Sequence, residues 1–278
     1  DKLNRGDSEF KNVPSCLYRK ENEIKMSEKP IEPINFEFLP LASRDYLEEG
    51  IVSGVNQKSP RIQSSKGCIA PCLYCVESSS NITEGGRRKT ILTGDISRLI
   101  NEIEMLQKNY SVVFFNSIDS SFEDPGKKGV ERMRKFCEEI KDRGIEASFK
   151  IHLRTETVDK LDDEFLDALK YAGVDIVIPG VESGLEKELI SYKKLTTPEK
   201  SAKTIKRLEA YGRFFNIIGH MMFSPVLILE DLPKKAEFLK QVHHGWDYLN
   251  MSHNIIIFPG TAYHELMKSR GLILEHDD

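Results

Sequence analysis

From residue 61 onward, short apolar runs alternate with amphipathic stretches, and this rhythm constrains the fold more than any other feature of the chain. The segment 95–108 carries Ile96, Leu99, Ile100, Ile103 and Leu106 at helical spacing and feeds the strand-like "SVVFFN" at 111–116. A charged helix from 129 closes at Gly144 before "EASFKIHL", and a helix at 161–172 stops at Gly173 before "VDIVIPG". Thr197 and Pro198 read as an N-cap and first-turn pair, and their helix stops at Gly212 before "FFNIIGHMMF". A helix at 232–243 precedes "LNMSHNIIIF", and a last one at 261–270 stops at Gly271. With "RIQSS" as the first strand, the count is roughly six strand–helix units, which predicts an α/β fold around a parallel sheet covered on both faces. A doubly wound sheet and a barrel short of eight units both satisfy that pattern.

The first 55 residues break the rhythm. They are charged and irregular, with prolines at 30, 33 and 40, and read as a lead-in or linker before a domain at 56–278. The chain opens at Asp1 and is expected to be a piece of a longer protein. A formal net charge of −4 leaves no basic footprint for nucleic acid. The longest apolar runs, "NIIIF" and "VLIL", are too short to span a bilayer, and no secretory leader is legible, so a membrane partner is not expected. Five cysteines, clustered three, one and one, do not form a disulfide framework, which makes a reducing cytoplasm the expected compartment.

The cluster is "SSKGCIAPCLYCVESS", with Cys68, Cys72 and Cys75 spaced C-x3-C-x2-C just after the first strand, where parallel α/β folds place reactive loops. Structural zinc wants four ligands, usually in two pairs, and no second pair exists. A redox pair of Cys72 and Cys75 leaves Cys68 without a role. Three thiolates alone suit a cubane iron–sulfur cluster with one iron open to a substrate or cofactor. Cys16 and Cys137 are isolated, and Cys137 reads as a helix-face core residue.

With Tyr74 just before the last cysteine, this motif resembles the signature of the radical S-adenosylmethionine (radical SAM) enzymes. The likeness extends over roughly residues 40–272 and is strongest toward the branch linked to a cobalamin-binding domain. "SSKGCIAPCLYC" is similar to that branch's cysteine segment, and "FFNSIDSSFEDP" to its second-strand segment, although Ser120 stands where a second acid is common. "GVESGLEKELISYKKLTTPEKSAKTIKRLEAYG" and "FPGTAYHELMKSRGLI" resemble the segments after the fourth strand and at the close. "VPSCLYRKENEIK" resembles the linker that follows a cobalamin domain; the cobalamin-ligating D-x-H-x-x-G is absent, and so are the upstream cysteines of a methylthiotransferase.

The resemblance implies a partial (βα)6 TIM-like barrel, with a [4Fe–4S] cluster on Cys68, Cys72 and Cys75 at its C-terminal mouth. In that family, S-adenosylmethionine chelates the open iron and is cleaved reductively to a 5′-deoxyadenosyl radical that abstracts a substrate hydrogen. By position, Tyr74 would lie by the adenine and Asp119 would take the SAM ammonium. Glu182 would accept from the ribose hydroxyls with Ser183 beside it, and Arg154 or Lys194 would pair with the SAM carboxylate. "NIIGHMM", including His220, would border the adenine. Expected partners are a small-molecule or peptide substrate and a flavodoxin- or ferredoxin-type electron donor, with cobalamin possible in the full-length protein. Two rivals stand beside methyl transfer: a cobalamin-independent oxidoreductase, epimerase or rearrangement enzyme, and a non-catalytic zinc or iron–sulfur module.

Overall fold

The computed structural model describes residues 16–20, 22–27, 39–47, 59–80, 91–123, 126–245 and 248–273, with Phe10 and Val13. Internal contacts divide the chain into units 1–40 and 41–278. In the first, β1 (Leu17–Lys20) and β2 (Glu23–Met26) pair antiparallel with Leu17 opposite Met26. The sequence reading had this stretch irregular. The hairpin buries little: Leu17, Ile24 and Met26 are all exposed.

The second unit begins its regular structure with β3 (Arg61–Ile62), β4 (Ser65–Lys66), α1 (Val76–Ser80), β5 (Leu92–Thr93), α2 (Ile96–Tyr110), β6 (Phe114–Ser117) and α3 (Gly126–Asp142). Then come β7 (Ser148–Arg154), α4 (Thr155–Val158), α5 (Asp163–Tyr171), β8 (Val174–Glu182), α6 (Glu186–Ser191) and α7 (Pro198–Tyr211). β9 (Phe215–Asn216), β10 (Gly219–His220), α8 (Leu232–Gln241), α9 (Tyr248–Ser252) and α10 (Ala262–Ser269) complete it. The main sheet runs β10–β8–β7–β6–β3, every pair parallel, with β9 also on β8. With β9 the sheet has six strands, and an isolated parallel bridge joins Phe223 to Asn254. Strands joined by crossover helices in this order make an α/β sheet of the partial (βα)6 barrel kind.

Local chemistry explains the helix starts. Asp95, Asp162, Thr197 and Thr261 sit in extended backbone, and each side chain accepts a backbone N–H of the following helix's first turn. Such caps contribute about 1 kcal/mol each. Between α5 and β8 the chain turns at Gly173, with φ +86; a Cβ there would stand 1.9 Å from the Ala147 carbonyl oxygen, so only glycine passes.

β6 alternates throughout, and β7 and β8 over most of their length. On β7, Phe149, Ile151 and Leu153 are buried and join Phe115, Phe136 and Phe165 in the core beneath α2, α3 and α5. Lys150 and His152 point to the barrel interior and are only half-buried. A second core, Val181, Ala202, Ile205, Ile218, Phe238 and Leu239, seats α7 and α8. A third, Tyr192, Ile255, Tyr263 and Met267, packs α10 against Leu73 and Tyr74 of the cysteine loop.

Three segments depart from expectation. "FFNIIGHMMF" is broken into β9 and β10, both paired with β8, and within β10 the register shifts between Gly219 and His220. "LNMSHNIIIF" starts as helix α9 and continues without regular structure, with one isolated bridge from Asn254 to Phe223. The short helices α4 and α6 directly follow strand ends, too brief to give a periodic signal.

Candidate functional site

The C-terminal ends of β3, β6, β7, β8 and β10 all open on one side of the sheet. Asp119, Arg154, Glu182, Ser183 and His220 lie at or just past such an end, the cysteines and Tyr74 follow β4, and Lys194 follows α6. The cysteine loop leaves β4 through Gly67, at φ 106, and is tied down along its length. β4 pairs antiparallel with β5, the Leu73 amide donates to the Tyr192 carbonyl at 2.9 Å, and the Tyr263 amide donates to the Leu73 carbonyl at 3.0 Å. None of Cys68, Cys72 and Cys75 is in a disulfide; Cys72 is buried and the other two half-buried. Among the described residues, no three His, Cys, Asp or Glu side chains are gathered tightly enough to hold a single metal ion.

Around Cys72 the site is charged. Burial pushes its thiol pKa up; Lys194 opposes that, while Glu182 and Cys75 add to it. The Lys194 ammonium pairs with Glu182 Oε1 at 3.1 Å. Burial disfavours its charge, yet Glu182, Cys72 and Glu156 together hold its pKa above the ordinary lysine value. Burial, then Glu182 and the two thiols, push the Tyr74 phenol well up, and Glu182 is its hydrogen-bond partner. The Tyr74 ring stands edge-on to Tyr192, centroids 5.4 Å apart.

Glu182 reaches this position through an unusual backbone. Its φ is +68, and the Ser183 amide closes a three-residue turn onto the Val181 carbonyl at 2.9 Å. Left-handed backbone at a non-glycine costs on the order of 1 kcal/mol and persists only where neighbours enforce it. Here the Met221 amide grips the Glu182 carbonyl at 2.7 Å. Gly180 leaves the room: a Cβ there would lie 2.8 Å from Lys194 Nζ and 3.1 Å from Glu182 Oε1, inside the ion pair.

Three of the predicted contacts are turned into the protein instead. Asp119 was read as an acceptor for the SAM ammonium. Its carboxylate is 2% exposed and filled by Ser64 N at 3.1 Å, Ser64 Oγ at 2.9 Å, Ser65 Oγ at 2.5 Å and Ser117 Oγ at 2.6 Å, so it clamps the start of the cysteine loop. Ser183 was placed beside the ribose. It is fully buried and donates to Glu188, which also takes Ser224 Oγ and Lys235 Nζ. His220 belongs to the segment expected to offer backbone groups to the adenine, and its side chain was read as packing. It is 1% exposed, stacked on Phe238 with Nδ1 against the Asn250 carbonyl, and burial lowers its pKa to about 4. Glu182, Lys194 and Tyr74, by contrast, meet at Cys72.

Arg154 is at the end of β7, its Nε 3.1 Å from the fully buried Glu123. Burial raises the Glu123 pKa while Arg154 lowers it. The second-strand segment thus carries its second buried acid at Glu123, not at Ser120. Sequence reasoning missed Glu123, Glu188 and Lys235. Each is a charge far from the motif, and ordinary loop and helix acids and lysines give no signal of burial. Trp246 lies outside the described residues.

A family model for the radical SAM superfamily matches residues 62–239, well over half of the chain, and the chain belongs to that superfamily. Uncharacterized methyltransferase PH0819 of Pyrococcus horikoshii is 23% identical over 283 residues, 99% of this chain and 56% of that protein. The solved structure of the cobalamin-dependent S-adenosylmethionine radical enzyme OxsB with aqua-cobalamin and S-adenosylmethionine bound superposes with a TM-score of 0.75 at 20% identity, over 100% of this chain and 44% of that one. The radical S-adenosylmethionine methyltransferase TsrM of Kitasatospora setae, with cobalamin and a [4Fe–4S] cluster bound, gives 0.56 at 15% identity over 68% of this chain and 35% of that one. At such identities the structures establish a shared fold. The chain spans about half the length of the relatives it matches. Among the described residues, no helix is long and apolar enough to cross a membrane.

Proposed function

We propose that Cys68, Cys72 and Cys75 hold a [4Fe–4S] cluster that binds S-adenosylmethionine, and that residues 56–278 form the radical SAM domain behind a lead-in at 1–55. The observation that carries this reading is the convergence of Tyr74, Glu182 and Lys194 on Cys72 at the barrel mouth. Three cysteine thiols in one anchored loop fit the soft donor set of such a cluster, with one iron left open. When bound, the cluster supplies the electron that cleaves the sulfonium and leaves a 5′-deoxyadenosyl radical to take a substrate hydrogen.

The chain's own residues bind and orient. Glu182, aimed inward by its turn, accepts from the ribose hydroxyls, and Tyr74 borders the adenine. Lys194 holds Glu182 in place and offsets the negative charge of the thiolates. Arg154, paired with Glu123 and with Nη2 donating to Thr157 Oγ1 at 3.4 Å, stands at the strand end as the cation proposed for the SAM carboxylate. The packed mouth limits water around the cofactor.

A cobalamin-dependent methyl transfer is the favoured overall reaction, supported by the likeness to PH0819, named an uncharacterized methyltransferase, for the transfer and to the cobalamin-dependent OxsB for the cofactor. A cobalamin-independent reaction is the alternative, and cobalamin binding by the full-length protein separates the two. The substrate is a small molecule or peptide, the electron donor a flavodoxin or ferredoxin, and the compartment the cytoplasm.

The test is anaerobic reconstitution with iron and sulfide, reduction with dithionite, addition of SAM and assay of 5′-deoxyadenosine. Alanine at Cys68, Cys72 or Cys75 is expected to abolish both the cluster absorbance and the product. Retained cleavage in Cys72→Ala, or one tight zinc with intact SAM, overturns the proposal.

A further inference from the structure

The inner face of β7 carries three cationic or titratable side chains in a row: Lys150, His152 and Arg154. Their surroundings differ. Arg154, at the mouth, has Glu123, and the nearby Lys194 has Glu182. Lys150 and His152 lie about 13 Å and 7 Å further down the strand, by the rise per residue. Among the described residues, neither side chain has a hydrogen-bond or ion-pair partner. Lys150 is a half-buried ammonium with no carboxylate bonded to it among the described residues, and an anionic ligand group entering the lumen would supply its counter-charge.

Sheet register defines the rest of the wall. Lys150 lies between Asn116 on β6 and Ile176 on β8, and His152 sits beside Ile178. Phe114, Asn116, Ile176 and Ile178 are half-buried, unlike the sealed outer face of the same strands. Burial, followed by the field of Lys150, lowers the His152 pKa, against smaller opposing contributions from Asp119 and Glu182. His152 is therefore a neutral imidazole with one N–H to give, next to a positive charge.

We propose that Lys150 and His152 receive an anionic oxygen group of the substrate, a carboxylate or a phosphate ester, while Ile176 and Ile178 carry its apolar part. The site lies in the lumen below the mouth, where a radical formed on SAM has to find its hydrogen. Lys150 supplies charge and His152 direction, and Asn116 offers an amide to a second polar group. The assignment of this lumen to substrate rests on the proposed radical SAM reaction; the anion site itself rests on β7.

The experiment titrates the reconstituted protein, and separately the cluster-free protein, with phenyl phosphate and with phenylacetate. Binding is read from the imidazole resonance of His152, assigned with a His152→Gln variant. A saturable shift with at least one probe is expected, and the stronger of the two names the group. Lys150→Met is expected to weaken that binding tenfold or more, and Lys150→Arg to keep it within about threefold, which separates loss of charge from loss of fold. No saturable shift with either probe, or equal affinity in wild type and Lys150→Met, overturns the inference. If wild type binds the probe but makes no cluster or 5′-deoxyadenosine, the proposed function fails and the anion site stands.

Discussion

Two glutamate–lysine pairs flank one turn of this chain, six residues apart in their acids, and they do opposite work. Glu188 and Lys235 are both fully sealed, 2.6 Å apart, with Ser183, Ser224 and the Met221 carbonyl using up their remaining bonds. Glu182 and Lys194 keep 17% and 6% side-chain exposure, lie 3.1 Å apart and face the cysteines. The sealed pair has no capacity left for a ligand. The open pair holds a carboxylate on a left-handed turn at the barrel mouth. The two are also coupled, since Lys235 holds the Met221 carbonyl and the Met221 amide holds the Glu182 carbonyl. One pair is scaffold for the other.

The largest effect is expected from breaking the scaffold pair. Burial lowers the Lys235 pKa and Glu188 restores part of it. Lys235→Met strands a buried carboxylate, which costs about 3–5 kcal/mol, visible as a fall in denaturation midpoint. The double variant Lys235→Met with Glu188→Leu should recover most of that loss, because the uncompensated charge is gone. Additive losses in this cycle would mean that the pair is not a unit.

Glu182→Gln tests the other half of the comparison. The amide keeps the shape and loses the charge that pairs with Lys194, so SAM-dependent 5′-deoxyadenosine formation should fall about 10- to 100-fold, equivalent to about 1.4–2.8 kcal/mol. The denaturation midpoint should move far less than in Lys235→Met. A large stability loss with normal cleavage would reverse the roles assigned to the two pairs.

His220 lies between the pairs, in register with Glu182 and stacked on Phe238. Burial depresses its folded pKa to about 4 from the ordinary histidine value of 6.5. The unfolded chain therefore binds the proton first as pH falls, and stability present above pH 6.5 is lost between 6.5 and about 4, with a limiting slope of about 1.4 kcal/mol per pH unit. His220→Gln should flatten that part of the pH–stability curve. An unchanged slope would remove the histidine from the scaffold.

Much of this was legible before any coordinates. The rhythm of apolar strands and glycine-stopped helices announces a parallel α/β sheet, because strand and helix periods differ and Gly173 and Gly212 have positive φ. Cys68, Cys72, Cys75, Glu182 and Lys194 could be singled out by spacing and resemblance. What sequence could not supply was which polar side chains face inward. Asp119 and Ser183 sit beside motif residues, yet their partners are Ser64, Ser65 and Glu188, brought in by folding from up to 55 positions away. A strand end that turns by one residue decides between ligand and scaffold, and Glu182 and Ser183 are one residue apart.

The smallest effect concerns the thiols. Cys137 lies on the buried face of α3, and burial, with Glu138 adding to it, pushes its pKa up to about 12. Cys72 is also buried and also raised, but Lys194 works against burial there. At Cys137, Arg134 opposes burial by less than Glu138 adds to it, which leaves an inert core thiol. At Cys72, by contrast, the Lys194 ammonium is the largest influence after burial and favours release of the proton to a metal. Cys137→Ala should cost about 1 kcal/mol of stability from the small void it leaves. Iron and sulfide content should match wild type after reconstitution, as should the yield of 5′-deoxyadenosine. Cluster loss in Cys137→Ala would place a fourth thiol in the site and end the distinction between the cysteine that carries the α3 core and those that open on the barrel mouth.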